Sequence, residues 1–268
     1  MPLRDAGLTA SVSHAFLCSW RRRPSLIFSN QTLGLNESAR VDNILENYLG
    51  TGLKTLKLLQ TPNYSGRYHR FIDRWLQKAV TLGVQELTLT LAEHFTRKKY
   101  KFPCSIFAHG NGDSIRYLYL QHCAFHPTVG GLGCSTSLVR LHLFAVYNKG
   151  DELGHLLSKS LALESLDLMY CREIVCVKIP CLQRLTHLLV HSCRKLQAVE
   201  SKAPNLSSFH FASDNHVQLS LGKALHVKTL YIDCSRPICH SRAKLASSTP
   251  NLEPLGIHSG SKVRSKLG

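Results

Sequence analysis

A six-position frame, apolar-x-x-apolar-x-apolar, recurs along the chain. It runs Leu53-Leu56-Leu58, Val84-Leu87-Leu89, Ile115-Leu118-Leu120, Leu138-Leu141-Leu143 and Leu163-Leu166-Leu168. It continues as Leu185-Leu188-Val190, Leu206-Phe209-Phe211, Val227-Leu230-Ile232 and Leu252-Leu255-Ile257, with Pro254 breaking the last. The final two apolar positions of each frame flank one other residue, which is the period of a short strand with one buried face. Successive frames begin 21 to 31 residues apart. A coil of that length cannot bury its own apolar side, whereas stacked coils bury a continuous ladder.

Period and frame together are those of a leucine-rich repeat. The expected fold class is therefore α/β: a leucine-rich-repeat solenoid, built as a curved parallel sheet of irregular coils. The repeat also places some of the ten cysteines. Its consensus carries Asn or Cys three residues after the last frame position, and Cys123, Cys171 and Cys193 stand there, with Cys234 one residue short. The spacers divide into two kinds. Residues 67–80 put Phe71, Ile72, Trp75, Leu76, Ala79 and Val80 on one stripe, with Gly83 as a stop, and predict a helix. Residues 151–161 predict another, with Asp151 as N-cap and Leu153, Leu156, Leu157 and Leu161 facing inward. The later coils open with Pro180, Pro204 and Pro250 and read as loops.

Ahead of the repeats the periodicity turns helical. Leu8, Val12, Ala15, Phe16 and Trp20 share a face over residues 5–23, and Pro24 ends that run. Val41, Ile44, Leu45, Tyr48 and Leu49 predict a second helix over about 39–49, ended by Gly50-Thr51-Gly52.

Met1-Pro2-Leu3-Arg4-Asp5-Ala6, Val12-Ser13-His14-Ala15-Phe16 and Ser19-Trp20-Arg21 resemble the second half of an F-box. The segments Val41-Asp42-Asn43-Ile44-Leu45, Asp73-Arg74-Trp75-Leu76, Phe102-Pro103-Cys104, Cys123-Ala124-Phe125-His126-Pro127 and Lys202-Ala203-Pro204-Asn205-Leu206 resemble the F-box/leucine-rich-repeat proteins of grasses. The resemblance covers about residues 1–258. It implies the substrate-recognition subunit of an SCF-type cullin-RING ubiquitin ligase, which performs no chemistry itself. It implies a partial F-box over 1–35, repeats over 36–258 and a basic tail over 259–268. It also implies a cullin-linked adaptor held through Leu3, Asp5, Val12 and Trp20, and a target protein held by the repeats. The Leu-Pro helix that opens a complete F-box has no counterpart, so a shortened F-box is expected. A free-standing interaction scaffold, or a truncated relative, that binds no adaptor is the alternative.

Composition narrows the remaining choices. Lys and Arg number 33 against 17 Asp and Glu, a net charge of +16. That excess suits an acidic protein partner, an anionic membrane surface, nucleic acid or simply a solvated basic surface. A protein partner is preferred to nucleic acid, even though Arg97-Lys98-Lys99-Tyr100-Lys101 forms a dense basic run. No apolar run reaches the roughly 18 residues of a spanning helix, and no leader pattern opens the chain, so a nuclear or cytoplasmic protein without membrane association is expected. No cofactor is expected. Cys171, Cys176 and Cys181 are spaced five apart, too loosely for paired zinc ligands, and no nucleophile elbow or paired-carboxylate motif accompanies the 15 histidines. The chain is thus read as non-enzymatic, with no metal. The interaction candidates are the side chains between buried strand positions: Tyr117, Tyr119, Arg140, His142, Asp167, His187, His191, His210 and Tyr231.

Overall fold

The computed structural model describes residues 23–29, 37–48, 50, 52–61, 66–93, 99–110, 112–127, 137–222, 227–234 and 256–258. They belong to two compact units, Met1–Leu138 and Val139–Gly268.

The first unit carries strands β1 (Ser25–Ser29), β2 (Thr55–Thr61), β3 (Glu86–Leu91) and β4 (Tyr117–Gln121). Helix α1 (Glu37–Glu46) lies between β1 and β2, and helix α2 (Gly66–Thr81) between β2 and β3. All four strands pair in parallel and in sequence order. Register aligns Leu26, Leu56, Leu87 and Leu118 in one row and Phe28, Leu58, Leu89 and Leu120 in the next. Every one of these side chains is buried, so the frame is a ladder, each buried side chain contributing about 1.5–3 kcal/mol.

Strand β1 has no counterpart among the nine frames. Counting back from the Ser25–Thr55 pairing, Arg23 stands where Leu53 stands in the next coil. The first apolar slot is thereby lost from the pattern.

Helix α2 fulfils its stripe except at Phe71, which is half-buried with the Arg74 guanidinium over its ring. Ile72, Trp75, Leu76, Ala79 and Val80 are buried, and Gly83 takes the left-handed φ of +76° that ends the helix. Helix α1 stops at Glu46, three residues before the expected end at 49. Tyr48 leaves the helix because its hydroxyl lies 2.9 Å from the Arg23 carbonyl and 3.1 Å from that of Gly52. The two helices meet through Asp42, which accepts a hydrogen bond from Trp75 Nε1 at 2.7 Å and pairs with Arg74.

The second unit carries β5 (Arg140–Phe144), α3 (Gly150–Lys159), β6 (Ser165–Met169), β7 (Cys176–Ile179), β8 (His187–His191) and β9 (Ala198–Ser201). It continues with β10 (Ser208–Ser213), β11 (Gln218–Ser220), β12 (Thr229–Cys234) and β13 (Gly256–His258). Strands β5, β6, β8, β10, β12 and β13 pair in that order, all parallel. Leu141, Leu166, Leu188, Phe209 and Leu230 form one buried row; Leu143, Leu168, Val190, Phe211 and Ile232 form the other, which Ile257 joins by register. The ninth frame is met at Ile257, while Leu252 and Leu255 lie outside the described residues.

Two expectations for the spacers change. The loops of the later coils contain a second parallel sheet, β7–β9–β11. Val177, Ile179, Val199 and Leu219 point inward from it, so these coils are closed by a strand on each side. The runs are only three or four residues long, too short for alternation to stand out in sequence. Helix α3 begins at Gly150 with Lys149 as N-cap, not Asp151. The start moves because Glu152 reaches back to accept from the Lys149 amide at 3.3 Å. Leu153, Leu156 and Leu157 are buried as expected, but Leu161 lies beyond the helix and is 61% exposed.

The turn after the main-sheet strand is also built alike in several coils. The second residue past the frame has positive φ at Gln60, His122, Ala145, Tyr170 and Ser192. The next position turns inward and is buried as Thr61, Cys123, Val146, Cys171 and Cys193. The Cys171 thiol donates to the Leu143 carbonyl at 3.6 Å, and the Cys193 thiol to that of Leu168 at 3.8 Å. Each thiol thus ties its turn to the end of the preceding rung, which explains why a small side chain with a donor suits this position.

Candidate functional site

Strand alternation leaves one side of the main sheet open to solvent in each unit. In the first, Tyr117 and Tyr119 sit half-buried on that side of β4. Tyr119 donates its hydroxyl to Gln121 Oε1 at 3.1 Å, and burial raises its pKa.

The second unit gathers five of the candidates into one strip across β5, β6, β8, β10 and β12. His142 Nδ1 lies 3.0 Å from Asp167 Oδ2. His187 Nε2 lies 3.4 Å from Asp167 Oδ1. The His187 ring stands 5.7 Å from that of His210, which stacks on Tyr231 at 5.8 Å. Side-chain exposure is 27% for His142, 23% for Asp167 and 35% for His187, enough shielding to strengthen these contacts above those of a fully solvated pair. Partial burial pushes the Asp167 carboxyl up, but the hydrogen bonds and positive charge offered by His142 and His187 outweigh it and hold the group well below the usual carboxylate range. Burial and the neighbouring His187 lower the pKa of His210, while Asp167 pulls it back.

Two candidates fall away from the strip. Arg140 is exposed at the start of β5. His191 sits at the far end of β8, where its ring joins a different group: Tyr170 at 5.3 Å, itself 5.1 Å from Phe144. Tyr170 and Phe144 were not expected. Tyr170 occupies the left-handed turn position, where strand alternation assigns no side, and it is 41% exposed. Leu3, Asp5, Val12 and Trp20, the expected adaptor contacts, lie outside the described residues.

The family model described as At1g61320/AtMIF1, LRR domain, matches residues 44–266. The chain belongs to this leucine-rich-repeat family. A search of curated proteins finds no match.

Membership in the AtMIF1-type LRR family places the chain among domains used for protein–protein interaction, and its paired strand ladders are the repeat that the family name describes. Segments that carried the resemblance have structural work in this LRR domain. Asp42 and Trp75 join α1 to α2, Asp73 accepts from the Tyr100 hydroxyl at 2.7 Å, and Phe102 packs edge-on against Phe125 with centroids 5.7 Å apart. Asn205 donates to the Gln183 carbonyl of the preceding coil at 2.8 Å. Among the described residues no group of His, Cys, Asp or Glu is arranged to hold a metal, and no helix is long and apolar enough to cross a membrane.

Proposed function

We propose that this LRR-domain protein is the target-recognition subunit of an SCF-type ubiquitin ligase, of the grass F-box/leucine-rich-repeat kind, acting in nucleus or cytoplasm. The observation that carries the reading is order along the chain: an F-box-like stretch at Leu3, Asp5, Val12 and Trp20 precedes the repeats. In this reading those four residues grip the cullin-linked adaptor. The target protein docks on the open strand faces, at Tyr117 and Tyr119 in the first unit and at Arg140, His142, Asp167, His187, His191, His210 and Tyr231 in the second. Tyrosine and arginine side chains are enriched among the hot spots of protein interfaces.

The test is capture of the chain by immobilised adaptor, done with the chain as it stands and with a Leu-Pro helix joined ahead of Met1. Capture that is lost in Trp20→Ala is the expected result. If even the extended chain is not captured, the ligase reading fails.

A second reading is a protein-interaction domain that needs no adaptor. The family match favours it to the extent that it begins at residue 44 and leaves the F-box-like stretch uncovered. Adaptor capture by the chain as it stands would exclude it.

A further inference from the structure

We propose that the strip formed by β6, β8, β10 and β12 captures the carboxylate side chains of an acidic partner segment between His187 and His210, and that capture tightens as pH falls. The proposal rests on the partner-binding reading of this face and adds the chemistry of what binds there.

The charge balance of the face comes first. The solvent-side positions of β5, β6, β8, β10 and β12 carry Arg140, His142, His187, His191 and His210 against only Asp167 and Asp233. Asp167 is already engaged, by His142 at 3.0 Å and His187 at 3.4 Å. Imidazole is the side chain whose charge ordinarily changes near neutrality, so a histidine-rich face is one that lower pH makes more cationic. The chain as a whole, at +16, adds a field of the same sign.

Geometry then selects the place. The His187 and His210 rings are 5.7 Å apart and tilted by 44°, a spacing at which one carboxylate can accept from both. His210 is held by its stack on Tyr231, so little ring freedom is lost on binding. The groups facing His210 are His187 and Leu189 on β8, Thr229, Tyr231 and Asp233 on β12, and Asp167 one rung further on β6. The like charge of His187 and partial burial resist protonation of His210, and Asp167 only partly offsets them. An incoming carboxylate supplies the missing counter-charge. Proton uptake and ligand capture therefore assist one another, as linkage requires.

The same face argues against nucleic acid. Arg140 is the lone Arg of these five strands, and they hold no Lys, whereas phosphate tracking relies on several permanently charged side chains.

The experiment uses the full chain and a fluorescein-labelled peptide of alternating Glu and Gly, with a Gln-Gly peptide as control. Anisotropy is read near physiological ionic strength at about pH 5.5 and about pH 8, on either side of the ordinary imidazole range. Binding of the Glu peptide should strengthen roughly tenfold at the lower pH, the linkage expected when capture takes up one proton. His187→Gln and His210→Gln should each remove most of that gain, with circular dichroism at the assay temperature showing both variants folded. Arg140→Gln should weaken binding equally at both pH values. The proposal is overturned if the Gln peptide binds as well as the Glu peptide, if the pH gain survives the double variant, or if single-stranded RNA of equal charge displaces the peptide at stoichiometric amounts. Adaptor capture is measured separately through residues 1–35, so failure of either property leaves the result for the other standing.

Discussion

Asp167 and His142 stand opposite one another on adjacent parallel strands, and the ring Nδ1 of one lies 3.0 Å from the carboxylate of the other. His187 approaches the second carboxylate oxygen from the far side, although the residue in register with Asp167 on that strand is Leu189. The carboxylate is therefore bracketed by a cross-strand neighbour and a diagonal one, a contact range that cross-strand geometry allows for long side chains.

The depressed pKa of Asp167 makes stability depend on pH with a definite sign. The ionised form is favoured by folding, so its contribution is fully present above the ordinary carboxylate range, about pH 4, and is lost as pH falls through that range toward the lower folded value. Asp167→Asn should lower stability at neutral pH by about 1 kcal/mol and flatten the acid limb of the stability curve. Urea melts across the acid range check both. An acid limb as steep as that of the parent chain would contradict the assigned pairing.

The ladder predicts a graded cost of truncation. Leu166 is fully buried between Leu141 and Leu188. Leu166→Ala should cost about 2–5 kcal/mol, against less than about 1.5 kcal/mol for the volume-conserving Leu166→Met. Denaturant unfolding of the two variants measures the difference.

Gly150 predicts an inverted alanine effect. At the first position of α3, a Gly→Ala change would ordinarily favour the helix. Here a Cβ would collide with the Cys176 carbonyl oxygen, and backbone on β7 would have to move. Gly150→Ala should destabilise by about 1–3 kcal/mol, whereas Gly154→Ala, with nothing within 4 Å of the added atom, should be neutral or stabilising. Thermal melts of the pair decide it.

Thiol reactivity should follow the repeat. Among the described cysteines, Cys181 is exposed and Cys176 half-buried, while Cys104, Cys123, Cys171 and Cys193 are buried. Burial also pushes the Cys123 thiol well above its ordinary range. Alkylation under native conditions, read peptide by peptide, should label Cys181 first among these six and Cys123 only on unfolding. Early labelling of Cys123 would contradict its place at the inward turn position.

The inward half of the molecule was legible residue by residue. A buried strand position must recur in every coil and must align with its neighbours, so Leu141, Leu166 and Leu188 announce one another by period alone. The cysteine slot followed from the same counting. Where a coil departs from the frame, as at Arg23 ahead of β1, or where strands shrink to three or four residues, as in β7, β9 and β11, the period has too few positions to register.

Where the frame recurs, the sequence by itself determined the ladder, the parallel order of the rungs and the side on which each strand residue emerges, because steric parity and burial are set locally and repeat. Only the tertiary structure decided which solvent-side groups meet. Nothing in the period requires Asp167 to lean toward His187, or His191 to leave the strip and join Tyr170. Solvent-side positions are free of the alignment that packing imposes on the core, so their contacts depend on stagger between rungs and on rotamers that form only once the coils are stacked.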